Sequence, residues 1–215
     1  MNNADLQLPF NTAPQSDKRA VQSRFAPMPR SDLRVPLEFY ATPPEATRAL
    51  LSVESFDGSI WEPACGDGAI CKVLESSGYS GVATDLASRG FGIAGVDFFK
   101  EEKSRAKHIV SNPPYGRGLA DRFVAHALKL AAETRGKVAM LLMLSSLCHP
   151  LRHEFFISNP PARIYGLDHL VCLPNGKRSE AMERKSTERF CWVVWHAGHV
   201  GPTQFSWLST ARFRR

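Results

Sequence analysis

The segment 111–116, with the sequence SNPPYG, constrains the fold and function of this 215-residue chain more than any other. Residues 107–111 predict a short buried strand, which two consecutive prolines end by removing backbone donors. The side chains that follow are expected at the carboxyl end of a strand, where ligands bind in an open α/β sheet. Asn112 supplies an amide acceptor and Tyr115 a flat aromatic face. Together they suit a planar group that carries an NH2.

The tetrapeptide Asn-Pro-Pro-Tyr also has a simpler interpretation as a turn, because Asn and Pro are common turn formers. In a binding site, by contrast, the carbonyls of Pro113 and Pro114 would be rigidly held acceptors. The sequence upstream favours a binding site. Three motifs precede the tetrapeptide in order, namely WEPACGDGAI at 61–70, VATDL at 82–86 and GVDFF at 95–99.

This series of motifs, ended by NPPY, resembles the class I S-adenosylmethionine-dependent methyltransferases that methylate amino groups. Its match is to the DNA adenine-specific branch, over roughly residues 38–145. The resemblance implies an α/β, Rossmann-like fold with a mostly parallel seven-stranded sheet, one antiparallel strand near the end and helices on both faces. It also implies S-adenosyl-L-methionine as cofactor and the exocyclic amine of adenine in DNA as the methyl acceptor.

Glycines and acidic residues stand at the ends of the predicted strands. Residues 58–63 predict the first strand, and the glycines after it suit a turn where a Cβ would collide with a close ligand. Nicotinamide-binding turns have a third glycine where this chain has Cys71, which disfavours a dehydrogenase. The resemblance implies a cofactor site formed by Tyr40, Thr42, Glu62, Ala64, Gly66, Gly68, Asp85, Leu86, Asp97, Phe98 and Asn112.

The acidic residues have separate roles in this interpretation. Asp85 ends the second strand, where a carboxylate can accept hydrogen bonds from both hydroxyls of a ribose. The resemblance implies that Asp97, at the end of the third strand, accepts from the adenine amine while Phe98 packs on the adenine ring. Glu62 would face the methionine ammonium, directly or through water.

The exocyclic amine of adenine or cytosine is a poor nucleophile, because its lone pair is delocalised into the ring. The Asn112 oxygen and the Pro113 carbonyl can hold the amine hydrogens out of conjugation, so that the lone pair points at the methyl group. Methyl transfer from a sulfonium depends mainly on orientation and needs no strong general base. We therefore predict Asn112, Pro113, Pro114 and Tyr115 as the catalytic segment. Tyr115 would stack on a base that has left the duplex.

Residues 1–37 contain polar residues and prolines without sustained periodicity, which predicts a mostly disordered tail. The catalytic domain is expected at 38–215. Its first helix is predicted over 43–52, because Thr42 and Glu45 form a capping-box pattern at its start.

Charge is unevenly distributed along the chain, whose net charge is +6. Residues 1–99 carry 8 Lys and Arg against 12 Asp and Glu, whereas residues 100–215 carry 19 against 9. This basic second part suggests a polyanionic partner, although a basic surface can also serve solubility alone. The loop at 174–189 is either a grip on nucleic acid or a flexible hairpin connection. The predicted substrate contacts are Arg117, Arg122, Lys177, Arg178, Arg184 and Lys185.

The composition disfavours other classes of protein. No apolar run reaches the length of a membrane span and the first thirty residues lack a signal-peptide segment, so a soluble cytoplasmic protein is expected. Five cysteines without a CxxC pair argue against a disulfide framework or a zinc site. His149 and His153 are four residues apart, but Pro150 stands between them and no constellation of Asp, Glu or Cys supports a metal site, so we predict no metal.

Three other functions stay open at this stage. RNA adenine methyltransferases use a similar tetrapeptide, and the chain lacks the long target-recognition insert of many DNA enzymes, although DNA is favoured. Protein glutamine methyltransferases face the same delocalised nitrogen, but they usually carry a folded helical domain before the cofactor motifs. A non-catalytic nucleic-acid binder is disfavoured by the intact acidic residues and the intact NPPY.

Overall fold

The structure, a computed structural model, describes residues 39–168, 170, 173–174 and 189–214. Its strands are β1 (Tyr40–Ala41), β2 (Ile60–Glu62), β3 (Gly81–Asp85), β4 (Ile93–Ala94), β5 (His108–Ser111), β6 (Lys137–Met143), β7 (Arg163–Leu167), β8 (Leu173–Pro174), β9 (Phe190–His196) and β10 (Gln204–Leu208). Its α-helices are α1 (Pro44–Leu51), α2 (Ala69–Ser76), α3 (Leu119–Thr134) and α4 (His153–Ser158).

Eight strands of the described residues form one sheet, in the order β10-β7-β9-β6-β5-β2-β3-β4. β9 runs antiparallel to its neighbours β6 and β7, and the other pairs in this sheet are parallel. β1 and β8 form a separate two-stranded antiparallel sheet. Because β2, β3 and β5 are parallel neighbours, their carboxyl ends meet at one edge of the sheet.

The central strands are buried on both faces, as their continuous apolar sequences require. In β6, Ala139 and Leu141 face the core beneath α1 and α2, whereas Val138, Met140 and Leu142 face the core beneath α3. Helices therefore cover both faces, and one strand in an otherwise parallel sheet is antiparallel. Both features of the predicted α/β fold are confirmed.

The predicted number of seven strands is wrong, because β10 adds an eighth at the sheet edge. Phe205 and Trp207 are exposed there, and β10 is not a continuous apolar run of the kind that identifies the central strands in the sequence. From the sequence alone, residues 162–173 predict a single strand. β7 instead ends at Leu167, and the separate strand β8 pairs with β1.

The first helix is present within one residue of its predicted bounds, but the predicted capping box at its start is wrong. The helix begins at Pro44 with Pro43 as its N-cap, and no side chain in the described part of the chain caps it. The capping-box pattern of Thr42 and Glu45 is local, whereas the Thr42 hydroxyl is taken up by a long-range contact with Asn112. The predicted tail at 1–37 and most of the loop at 174–189 lie outside the described residues. None of the described helices has the length and hydropathy needed to cross a membrane.

Candidate functional site

A cavity of about 580 Å³ opens where β2, β3 and β5 end. This volume is within the range of roughly 300–1,000 Å³ that is usual for small-molecule sites. The predicted cofactor residues that line it are Tyr40, Thr42, Glu62, Ala64, Asp85, Leu86, Asp97, Phe98 and Asn112. The rest of the predicted catalytic segment, Pro113, Pro114 and Tyr115, lines the same cavity.

The turn between β2 and α2 contains two glycines in the left-handed region, Gly66 with φ 56° and Gly68 with φ 81°. A Cβ at Gly66 would lie 2.3 Å from a ring carbon of Phe39, and one at Gly68 would lie 2.4 Å from the ring of Phe91. Both the backbone angles and the rings above therefore require glycine. Unlike the other predicted cofactor residues, these two glycines are not part of the cavity wall.

Glu62 ends β2 with its side chain buried at the cavity wall, where the residue is 3% exposed. One of its carboxyl oxygens, Oε2, accepts from the Cys71 backbone N–H at 3.1 Å and from the Cys71 thiol at 2.8 Å. Burial raises the pKa of Glu62 well above its ordinary value, and these two hydrogen bonds lower it only in part. Among the described residues, no Lys or Arg forms an ion pair with Glu62. The site therefore offers a buried carboxyl to a cation.

Asp85 ends β3 and is half-buried at the same wall. Its Oδ2 accepts from the Gly66 N–H at 2.8 Å, and its Oδ1 accepts from the Ala87 N–H at 2.8 Å. Each carboxylate oxygen has a second lone pair, so both can still accept from a ligand hydroxyl. The carboxylate thus ties the glycine turn to the end of β3.

Asp97 follows β4 and accepts from the Phe99 N–H at 3.1 Å, which starts a 3₁₀ turn over Phe98–Lys100. Phe98 is 4% exposed, and its ring centroid lies 4.2 Å from that of Phe123 and 5.2 Å from that of Trp61. Most of the Phe98 ring is thus already in contact with the protein core. Phe99, which was not among the predicted site residues, is half-buried at the cavity wall.

Asn112 follows β5, and hydrogen bonds hold its carboxamide at both ends. Its Nδ2 donates to the Tyr40 carbonyl at 3.1 Å and to the Thr42 hydroxyl at 3.1 Å. Its Oδ1 lies 2.6 Å from the hydroxyl of Tyr115. The amide is therefore fixed by β1, by the residue after β1 and by the end of its own tetrapeptide.

Tyr115 is part of the cavity wall, but its hydroxyl is anchored in the protein. The hydroxyl lies 2.7 Å from the Leu141 carbonyl and 2.6 Å from Asn112 Oδ1. Its ring lies 6.2 Å from that of Phe190 in an edge-on arrangement. Stacking of Tyr115 on a base, as predicted from the sequence, stays a prediction.

Two arginines border the cavity, each over an aromatic ring. The guanidinium of Arg122, on α3, lies 4.8 Å from the Phe99 ring centre, and that of Arg89 lies 4.7 Å from the Phe39 ring centre. Arg122 was predicted from the sequence as a substrate contact, and Arg89 was not. The remaining predicted contacts, namely the Arg117 side chain, Lys177, Arg178, Arg184 and Lys185, lie outside the described part of the chain.

Three residues that line the cavity were not predicted from the sequence, namely Phe39, Arg89 and Phe99. The signal for two of them was adjacency, because Phe39 precedes Tyr40 and Phe99 follows Phe98. Which member of an adjacent aromatic pair faces a ligand depends on the local turn. Arg89 is not adjacent in sequence to any predicted site residue.

No family model matches the sequence, and a search of the curated proteins found no match. Among solved structures, the fold is similar to that of a protein from Listeria monocytogenes assigned to the class I S-adenosylmethionine-dependent methyltransferases. The TM-score is 0.53 at 14% identity, over 78% of this chain and 65% of that chain.

Two further neighbours are described as subunits of type I restriction systems. The methyltransferase subunit of a restriction-modification system from Streptococcus thermophilus gives a TM-score of 0.53 at 12% identity, over 76% of this chain and 45% of that chain. A protein from Vibrio vulnificus assigned as the modification subunit of a restriction enzyme gives 0.50 at 15% identity, over 78% and 47%. This chain spans less than two thirds of each of these three proteins. The chain has the fold of class I S-adenosylmethionine-dependent methyltransferases.

Proposed function

We propose that this protein binds S-adenosyl-L-methionine and methylates the exocyclic amine of adenine in nucleic acid, with DNA as the leading substrate. One observation carries the proposal. Asn112–Tyr115 and the carboxyl groups of Glu62, Asp85 and Asp97 line one cavity. A cofactor held by the carboxylates would therefore lie next to the amide that is to bind the methyl acceptor.

The residues of the cavity fit this cofactor. Glu62 is a buried carboxyl without an ion-pair partner among the described residues, and it would bind the ammonium of the methionine part. Asp85 would accept from the ribose hydroxyls, and Asp97 from the adenine amine. When bound, S-adenosylmethionine supplies an electrophilic methyl group on a sulfonium.

The acceptor amine is the harder part of the reaction, because its lone pair is delocalised. Asn112 lines the cavity, both protons of its amide are bound by Tyr40 and Thr42, and its carbonyl oxygen, next to the Tyr115 hydroxyl, keeps a second lone pair. An oxygen in that position can accept one amine hydrogen, and the Pro113 carbonyl can accept the other. Binding both hydrogens turns the lone pair out of the ring plane, and preorganised acceptors of this kind contribute most where bonding changes in the transition state.

A nucleic acid suits the remaining features better than a small amine does. Residues 100–215 carry a net charge of +10, and Arg122 is exposed beside the cavity. The restriction-system neighbours agree with DNA, but their 12% and 15% identities show the fold alone. The preference for DNA therefore depends on the resemblance of residues 61–116 to the DNA adenine enzymes.

Transfer of a labelled methyl group tests this proposal. The full chain is incubated with [methyl-³H]-S-adenosylmethionine and, separately, with DNA from cells that lack adenine methylation, with total RNA and with a protein extract. We expect label in DNA for the wild type and none for Asn112→Ala. Label in RNA alone would replace DNA by RNA, and label in protein alone would overturn the nucleic-acid assignment. Absence of transfer to all three, with cofactor bound, would contradict the proposed activity.

A further inference from the structure

The amide of Asn112 receives its orientation from residues about seventy positions earlier in the chain. Its Nδ2 lies 3.1 Å from the Tyr40 carbonyl and 3.1 Å from the Thr42 hydroxyl. An amide nitrogen has two protons, so each of them has an acceptor. Thr42 is 4% exposed, and water therefore has little access to this contact.

The Tyr40 carbonyl settles which end of the amide faces β1. A carbonyl can only accept, so the amide atom beside it must be the NH2 and not the oxygen. The Oδ1 atom is then turned toward the Tyr115 hydroxyl, 2.6 Å away. With the amide in this orientation, Oδ1 keeps a second lone pair for a further donor.

We propose that Thr42 is a positioning residue for methyl transfer, because its hydroxyl binds one Asn112 amide proton while the Tyr40 carbonyl binds the other. The two bonds hold the amide oxygen as the acceptor for the target amine. Donation of both protons also polarises the amide and makes its oxygen a better acceptor, as in other hydrogen-bonded chains. This inference rests on the proposed methylation of an amine and assigns to Thr42 a role separate from cofactor contact.

The direct test replaces Thr42 by valine, which keeps the shape and removes the acceptor. At saturating S-adenosylmethionine and saturating unmethylated DNA, loss of one hydrogen bond to the amide should lower the single-turnover rate about tenfold. Saturation removes any effect on cofactor affinity. Thr42→Ser keeps the hydroxyl and should restore the rate to within about twofold of the wild type.

Thr47→Val is the matched control. Thr47 is fully buried on α1, and its hydroxyl has no hydrogen-bond partner among the described residues. The same substitution there removes a hydroxyl without touching Asn112, so its rate should equal that of the wild type. Equal rates for Thr42→Val and Thr47→Val would overturn the proposal.

A second measurement does not depend on activity. Samples labelled with ¹⁵N-asparagine give side-chain NH2 signals, and Asn112→Asp identifies the signal of Asn112. In the wild type its two protons should exchange slowly with water, whereas Thr42→Val should speed the exchange of one proton about tenfold. Unchanged exchange in Thr42→Val would overturn the proposal. An inactive wild type whose Asn112 signal still responds to Thr42→Val would contradict the proposed function and leave the orienting contact standing.

Discussion

The Gly66 N–H donates to the carboxylate of Asp85 across 2.8 Å, which joins the turn before α2 to the end of β3. The other oxygen of the same carboxylate binds the Ala87 N–H. One side chain therefore holds the backbone around the cavity and also lines it. This dual position makes Asp85 the first residue at which the cofactor assignment can be tested.

Asp85→Ala should weaken the binding of S-adenosylmethionine by about 2–3 kcal/mol, since it removes charge-assisted hydrogen bonds to the ribose. It should also lower the free energy of unfolding, by about 1–3 kcal/mol, because Gly66 and Ala87 lose their acceptor. Titration calorimetry and urea unfolding measure the two effects. Glu75→Ala removes an exposed carboxylate from α2 and serves as control. If Asp85→Ala bound S-adenosylmethionine with the affinity of the wild type, Asp85 would not be a cofactor-binding residue.

Without added cofactor, Glu62 should lower the free energy of unfolding of the protein as pH rises. Its folded-state pKa is raised by burial well above the ordinary value of 4.5, so the unfolded chain releases this proton at lower pH than the folded chain does. Above pH 4.5 the folded state binds more protons, and its free energy of unfolding falls by about 1.4 kcal/mol per pH unit until Glu62 ionises. Urea unfolding of wild type and Glu62→Gln from pH 5 to 8 isolates this slope. A difference between them that does not change with pH would contradict a protonated Glu62.

Glu54 provides a comparison of opposite sign. It is 4% exposed, and although burial raises its pKa, hydrogen bonds from Arg163, Lys137 and Tyr165 outweigh burial and lower the pKa below 4.5. Its contribution to stability should therefore be present above pH 4.5 and be lost as pH falls below that value. The free energy of unfolding of the wild type should exceed that of Glu54→Gln above pH 4.5, and this difference should shrink as pH falls. Relative to Glu62→Gln, the free energy of unfolding of the wild type should instead fall as pH rises.

Arg122 should contribute to the binding of nucleic acid through phosphate. If it neutralises one phosphate, Arg122→Ala should reduce the slope of log affinity against log salt by about 0.7–0.9 and leave cofactor binding unchanged. Lys129→Ala, an exposed lysine two turns further along α3, is the control. The measurement is the binding of labelled DNA and RNA over a salt series. A wild-type affinity that does not depend on salt would exclude a phosphate-binding mode.

Much of this site follows from the sequence because its parts lie at the ends of buried strands. Glu62 and Asp85 end their strands and Asn112 follows its strand, and parallel strands place such ends along one edge. The fold class was predictable for the same reason. β10 at the sheet edge is short and mostly exposed and has no continuous apolar run, so the sequence did not predict it.

The orientation of side chains could not be predicted, because it depends on contacts between distant residues. Thr42 has the sequence pattern of a helix cap, but a partner seventy positions away binds its hydroxyl. Phe98 and Phe99 both line the cavity, but the turn that Asp97 starts buries the first against Phe123 and leaves the second half-buried. Local patterns do not contain this information.

The central claim is that Asn112 presents an adenine amine to the cofactor. In the most direct measurement, DNA methylated by the wild-type protein is digested to nucleosides. Mass spectrometry then identifies the methylated nucleoside. We predict N6-methyl-2′-deoxyadenosine, reduced about a hundredfold or more in Asn112→Ala, whose affinity for S-adenosylmethionine should equal that of the wild type. Asn159→Ala, at the end of α4, should give the wild-type amount. A product methylated on a ring carbon, or equal yields of N6-methyl-2′-deoxyadenosine from wild type and Asn112→Ala, would contradict the claim.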